Sequence, residues 1–251
     1  MPRIDLNCDL GEGTGHDAAL MPFITSANIA CGGHAGDEAT MQAAVDLARR
    51  HGVAVGAHPG FVDRENFGRT EPAVWPEEVF QLVLTQTRAL QRIARARGAT
   101  VTHVKPHGAL YNMAARNTLL AAAVAQAVYE VDPRLRLFGL AGSHSLAAAR
   151  SCGLEVASEV FADRTYQPDG TLTPRARADA LISDEGRVLE QALSMARDGR
   201  VRATDGTEVA VQADTVCLHG DGPNAVALAT CLRAGLEAAG IEVRNFSHPQ
   251  S

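Results

Sequence analysis

Short apolar runs and longer mixed runs alternate along the whole chain, and the two kinds follow different periods. The short runs predict strands at Arg3–Cys8, Ser26–Ala30, Val53–His58, Thr100–Lys105, Arg136–Leu140, Leu154–Phe161 and Thr215–His219, with a weaker one at Ile241–Asn245. Between them, apolar positions recur with the helical period and predict helices near Glu38–His51, Pro76–Arg97, Leu119–Tyr129, Ser145–Ser151, Asp184–Asp198 and Asn224–Ala239. Repeated β–α alternation implies parallel strands joined by right-handed crossovers. At this chain length, seven or eight such units predict a closed or nearly closed (β/α) barrel of the α/β class. No shift in composition, linker or internal repeat marks a boundary, so residues 1–251 read as a single barrel domain.

The parity of the strands supports a barrel over an open sheet. Asp5, Asn7 and Asp9 share one face of the first strand, while Ile4, Leu6, Cys8 and Leu10 share the other. A central strand of a doubly wound sheet is apolar on both faces, whereas a barrel strand can turn a polar face inward. The fourth strand repeats the pattern: His103, Lys105 and His107 fall on one parity, and Cys217, His219 and Asp221 align in the last clear strand. Polar residues therefore gather at strand C-terminal ends, where parallel barrels place their active sites.

Composition narrows the functional classes. The 251 residues (26.5 kDa) are 46% hydrophobic with a formal charge of −6, enough for one barrel-sized core and no electrostatic case for nucleic acid or an anionic membrane surface. The apolar runs fall short of a bilayer span and no secretory leader is visible. Five cysteines, odd in number and without C-x-x-C, point to a reducing compartment. The expectation is a soluble cytoplasmic protein. Of the 23 basic residues all but Lys105 are Arg. Codon bias explains the missing lysines; it also makes the surviving one conspicuous, because Arg replaces Lys well on a solvated face but poorly as a compact point charge.

The candidate chemistry follows from the strand ends. Asp9 and Glu12 come after the first strand and Asn28 and His34 after the second. His58 ends the third, Lys105 and His107 the fourth, and Arg164 and His219 follow the later strands. Each has a plainer alternative: Asp9 and Glu12 as caps, His34 as a packing residue, His58 as a rim hydrogen-bonder, His103 as a core histidine, Lys105 in a structural ion pair. Arg64 and Arg69 are solvated charges or an anion clamp. Asp and His from neighbouring strand ends are competent metal ligands, but no H-x-x-x-H or H-E-x-x-H spacing fixes a set, so metal content stays open, with His34, His58 and His107 as the candidate ligands. Gly11-Glu-Gly13-Thr-Gly15 misses the dinucleotide fingerprint by one residue, and the sole Lys follows no Gly-rich run, which excludes a P-loop. No G-x-S-x-G elbow or cysteine nucleophile signature is present, so acid–base and electrostatic catalysis is favoured.

Taken together, IDLNCDLGEG at 4–13, SANIACGGHAGD at 26–37, GVAVGAHPGF at 52–61, ENFGR at 65–69, HVKPHGALYN at 103–112, EVFADRTYQPDGTLTPR at 159–175 and TVCLHGDG at 215–222 resemble the LamB/YcsF family, the A subunits of bacterial ATP-dependent 5-oxoprolinase. One departure is Gly33, where relatives often carry a bulkier residue. The resemblance implies a barrel like that of glycoside hydrolases and deacetylases. It also implies cleavage of 5-oxo-L-proline (pyroglutamate) to L-glutamate, with ATP as co-substrate, in a complex with subunits B and C. On that reading the catalytic set is Asp9, His34, Lys105 and His107: Asp9 as general base for water, helped by His107 or His34, and Lys105 as the charge stabiliser. Glu12, Asn28, His58, Arg164 and His219 bind substrate, with Asn28 and Arg164 on its carboxylate. The alternatives are a metal-dependent deacetylase-like hydrolase and a non-catalytic protein that only binds the lactam.

Overall fold

The computed structural model describes residues 2–246. In chain order the elements are β1 (Arg3–Leu10), α1 (Asp17–Leu20), β2 (Ser26–Ala30), α2 (Glu38–His51), β3 (Ala54–His58), α3 (Pro76–Ala96), β4 (Val101–Val104), α4 (Gly108–Arg116), α5 (Thr118–Val131), β5 (Arg136–Leu140) and α6 (His144–Ser151). Then follow β6 (Glu155–Phe161), α7 (Glu185–Leu193) with a π-turn at Ser194–Asp198, β7 (Arg200–Arg202), β8 (Glu208–Ala210), β9 (Thr215–Leu218), α8 (Ala225–Ala238) and β10 (Glu242–Val243).

Seven strands, β1 to β6 and β9, pair in parallel in sequence order, and β1 closes the ring on β9 through the register Asp5↔Thr215 to Cys8↔Leu218. The predicted eighth strand at 241–245 shrinks to Glu242–Val243, which pairs only with Arg3 and Ile4 beside the barrel's N-terminal end. Where the sequence predicts strand up to Lys105, β4 stops at Val104; the following Pro106 supplies no N–H and ends the ladder. Three elements escape the sequence reading: the short α1, the helix α4 that opens directly after His107, and the antiparallel hairpin β7–β8.

Helix boundaries follow local chemistry. Asp37 caps α2 by accepting from the Thr40 N–H while the Thr40 hydroxyl accepts from the Asp37 N–H, and Gly52 ends it in the left-handed region. Pro76 occupies the first turn of α3, and the Asn117 side chain accepts from the Leu119 and Leu120 N–H groups to start α5.

The apolar core lies between strands and helices, where Ile4, Leu6, Cys8 and Leu10 are all buried. The lumen is polar and closed by hydrogen bonds in layers. At the bottom Asp5 accepts from the hydroxyls of Thr25, Ser26 and Thr215 at 2.6–2.7 Å. Above it Asn7 donates to Glu159 and to Thr215, and accepts from Asn28. This ladder is the reason a polar strand face can be buried without the penalty of unpaired groups. Between β6 and β9 the chain makes its longest excursion, residues 162–214, which carries α7 and the hairpin and lays residues 163–182 over the C-terminal mouth of the barrel. Among the described residues no helix is long and apolar enough to cross a membrane, and all five cysteines are free.

Candidate active site

The top layer of the lumen is built around Lys105, which is 2% exposed. Its Nζ donates to Asp9 Oδ1 at 2.9 Å, Cys217 Sγ at 3.0 Å and Asn7 Oδ1 at 3.3 Å, and lies 3.0 Å from Glu159 Oε1. A compact ammonium can divide its donors among acceptors on β1, β6 and β9; a planar guanidinium cannot, which answers why Arg has not replaced it. Burial opposes its charge, but the carboxylates of Asp9 and Glu159 outweigh burial and hold the ammonium protonated well above its usual range. Asp9 is the reciprocal case. Burial pushes its carboxyl up, and His58 with Lys105 more than reverses this, so it stays ionised far below the ordinary carboxylate range. Cys217, pushed up by burial, remains a thiol.

Beside Asp9 stands a cluster of imidazoles from three further strand ends. His58 Nε2 lies 3.4 Å from Asp9 Oδ2 and 2.9 Å from His107 Nδ1. His34 stacks on His107 with ring centroids 3.6 Å apart, and its Nε2 lies 3.2 Å from Glu12 Oε1. Burial, reinforced by the positive side chains nearby, pushes His34 down to about 3 and His107 well below its usual value, so both are neutral at neutral pH. Glu12 is pushed well above the carboxylate range by burial and by the charge of Asp9. The glycines around the cluster are there for space: a Cβ on Gly60 would come within 2.6 Å of His34 Nδ1, and one on Gly68 within 2.6 Å of His34 Cβ. Gly33 is similarly tight, since any side chain there would run into Gly60 O and the Gln86 amide.

Across from the imidazoles, His219 Nδ1 lies 2.8 Å from Asp163 Oδ2, an oriented carboxylate–imidazole pair. A cavity of about 40 Å³ separates the two sides, and Asp9, His58, Lys105, His107 and His219 reach it. That is room for water, and Arg69, which lines it, pairs with Asp221. A larger cavity of about 320 Å³ lies at the N-terminal end, between Arg49, Arg134, Arg136 and Phe138. Its lining includes His103 and Glu155 but none of Asp9, His34, His58, Lys105, His107 or His219, and parallel barrels carry their chemistry at the opposite end.

The candidates from the sequence therefore separate. Asp9, Lys105, His58, His107 and His219 reach the cavity; Glu12 and His34 stand behind the imidazoles; Asn28 lies below. Asn28 has no group free for a ligand: its amide donates to Asn7 and Asp9, and its carbonyl accepts from His103. It positions Asp9. His103, stacked on Phe138, is a core histidine. Arg164 touches the cavity but spends Nε on Ala180 O and one terminal nitrogen on Thr173 O, holding the excursion over the mouth. The cation left over is Arg175, a cavity-lining side chain with no hydrogen bond or ion pair among the described residues, which the sequence reading passed over. Of the two arginines left open, Arg64 holds the backbone carbonyls of Gly32 and Gly36, while Arg69 lines the cavity. Glu159 and Asp163, both in the 159–175 motif, join the candidate site only through the structure, as partners of Lys105 and His219.

Comparisons with known proteins place the chain in a family. The chain is 54% identical to a protein of Geobacillus kaustophilus named as the A subunit of 5-oxoprolinase, over 97% of each chain, and 52% identical to the protein of that name in Bacillus licheniformis, over 98% of this chain and all of that one. Among solved structures it resembles a lactam utilization protein from Thermus thermophilus at a TM-score of 0.91 and 47% identity, covering 97% of this chain and all of that one. A polysaccharide deacetylase from Bacillus cereus shares the fold alone, with a TM-score of 0.51 and 12% identity over all of this chain and 95% of the other. The family model matches residues 4–251, and the chain belongs to the LamB/YcsF family.

Proposed function

We propose that this chain is the A subunit of an ATP-dependent 5-oxoprolinase, opening 5-oxo-L-proline to L-glutamate while ATP goes to ADP and phosphate. The observation that carries the reading is the end-to-end match to relatives of that name at 51–54% identity. The chemistry fits a division of labour. A five-membered lactam is a poor electrophile because its nitrogen donates into the carbonyl. Phosphorylation of the lactam oxygen removes that donation. Since this sequence holds no nucleotide motif, subunits B and C bind ATP and perform that step, and this barrel opens the activated ring. The free cysteines suit a cytoplasmic setting.

In the barrel, water adds to the activated carbon and Asp9 Oδ2 accepts its proton; Lys105, fixed beside Asp9, offsets the negative charge on the tetrahedral carbon's oxygens. The carbon–nitrogen bond then breaks, and the proton taken up by Asp9 passes to the departing nitrogen through Nε2 of His219, whose Nδ1–H is held by Asp163. A second water releases phosphate from the acyl phosphate. Arg175 and Arg164, at the mouth, receive the substrate carboxylate or the phosphoryl group. Reconstitution with subunits B and C tests this. Asp9→Asn lowers ATP-dependent glutamate release by about 10²-fold or more while the chain still binds its partners. Full activity of that variant, or glutamate formation by B and C alone, overturns the assignment.

A further inference from the structure

We propose that Glu12, His34, His58 and His107 form a binding site for one divalent transition-metal ion of the zinc type. The inference concerns these four side chains and does not depend on the substrate.

One donor atom from each of the four lies within 4.8 Å of the other three. Glu12 Oε1 is 3.2 Å from His34 Nε2, 3.5 Å from His107 Nδ1 and 3.9 Å from His58 Nε2, and the last two nitrogens are 2.9 Å apart. Ligands about 2.0–2.1 Å from a tetrahedral zinc ion stand about 3.3 Å from one another, and the four separations straddle that spacing; because His34 is stacked on His107, metal binding requires the His34 ring to turn so that its Nε2 lone pair meets the ion. The donors come from the ends of four successive strands, β1 to β4, so no local sequence spacing could disclose them.

The protons on the imidazoles add a second constraint. His58 Nδ1 donates to Lys105 O at 2.7 Å, and His107 Nε2 donates to Phe67 O at 2.8 Å. A neutral imidazole has one N–H, so His58 Nε2 and His107 Nδ1 face each other with lone pairs at 2.9 Å. Something positive must lie between or beside them: an extra proton shared by the pair, or a cation. Ring nitrogens pinned on backbone carbonyls so that the opposite nitrogens converge are the usual outer support of metal-ligating histidines. Three imidazoles and one carboxylate suit zinc, cobalt, iron or manganese and not calcium or magnesium. Asp9, next to His58, completes the charge balance. A second group that converges, Asp9, Cys217 and His219, fails the same test, because the Lys105 ammonium already donates to both Asp9 and Cys217.

The experiment uses the full chain without partners or substrate. Protein stripped with a chelator is titrated with zinc and with cobalt, and metal is measured by elemental analysis after gel filtration. The expected result is about one ion per chain, with a cobalt spectrum of the tetrahedral type, and loss of at least about tenfold in metal affinity in both Glu12→Gln and His34→Gln. Crystals of the wild type soaked in zinc, with anomalous density among the four side chains, give the same answer where a variant fails to fold. Retention of no metal, a cobalt spectrum of the hydrated ion, or anomalous density elsewhere overturns the site and leaves a proton shared by His58 and His107.

Discussion

Replacing Lys105 by Met is the most informative single change, because the side chain holds together groups from several strands and carries a proposed catalytic charge. In the folded protein its ammonium lies 2.9 Å from Asp9 and 3.0 Å from Glu159, both buried. Met fills similar space but leaves two carboxylates facing each other across the lumen. Breaking a buried pair by removing one partner costs about 3–5 kcal/mol, since the survivor keeps its desolvation penalty. For a chain of this size each kcal/mol moves the melting temperature by about 2–4 °C. The expected loss is therefore about 6–20 °C by calorimetry, with a matching fall in the urea midpoint. Adding Glu159→Gln removes one stranded charge and recovers about 1–2 kcal/mol, a coupling within the range for contacting residues. The ATP-coupled assay with partners separates stability from chemistry: at a temperature where Lys105→Met is fully folded, glutamate release still falls by at least about 10²-fold. A single variant within about 2 °C of wild type, equivalent to under about 1 kcal/mol, refutes the electrostatic account of the lumen. Undiminished turnover refutes the catalytic role.

The remaining predictions concern the mouth, the glycines and the acid limb. Arg175→Ala leaves the melting temperature unchanged and raises KM by about tenfold or more, equivalent to about 1.4 kcal/mol of lost anion binding. Arg164→Ala instead costs about 1–3 kcal/mol of stability by stranding the Thr173 and Ala180 carbonyls, read as a lower urea midpoint. Gly56→Ala costs about 1–3 kcal/mol of overpacking, because its Cβ would overlap the His103 ring; a midpoint equal to wild type contradicts the packing described. Burial pushes Asp163 up, but His219 outweighs it and leaves its folded value below the ordinary one. Its contribution is thus full above the unfolded value near about 3.9 and is lost as pH falls through the lower folded value. Urea midpoints measured from about pH 5 down to about pH 2.5 should fall less steeply in Asp163→Asn than in wild type.

The periodicity of the chain places the seven barrel strands within one or two residues, because each is a short apolar run bounded by turn residues. It misses α4, whose start lies in the His107-Gly108 turn, with Gly108 at positive φ, where no capping residue announces a helix. It also misses β7 and β8, three residues each and rich in charge, too short for an alternation to register. Strand parity correctly sends Asp5, Asn7 and Asp9 into the lumen, and strand-end position correctly gathers Lys105, His107 and His219. What one strand cannot show is how deep a residue sits or which neighbour takes its bonds. Asn28 is the example: its amide and carbonyl are committed to Asn7, Asp9 and His103, while Arg164 spends Nε and one terminal nitrogen on backbone carbonyls and still lines the cavity. Arg175 carries no signal in the sequence, because it lies in a long excursion with no period, where only the fold brings it to the mouth.

The burial of Lys105 also governs how this protein meets reagents. With every other basic side chain an arginine, the folded surface offers no lysine amine to acylating labels, amine cross-linkers or acetyl-transfer enzymes. The one ε-amine becomes reactive only when the barrel opens. Acylation at Lys105, followed by peptide mapping over time, is therefore a readout of how often the lumen becomes accessible, taken from inside the site.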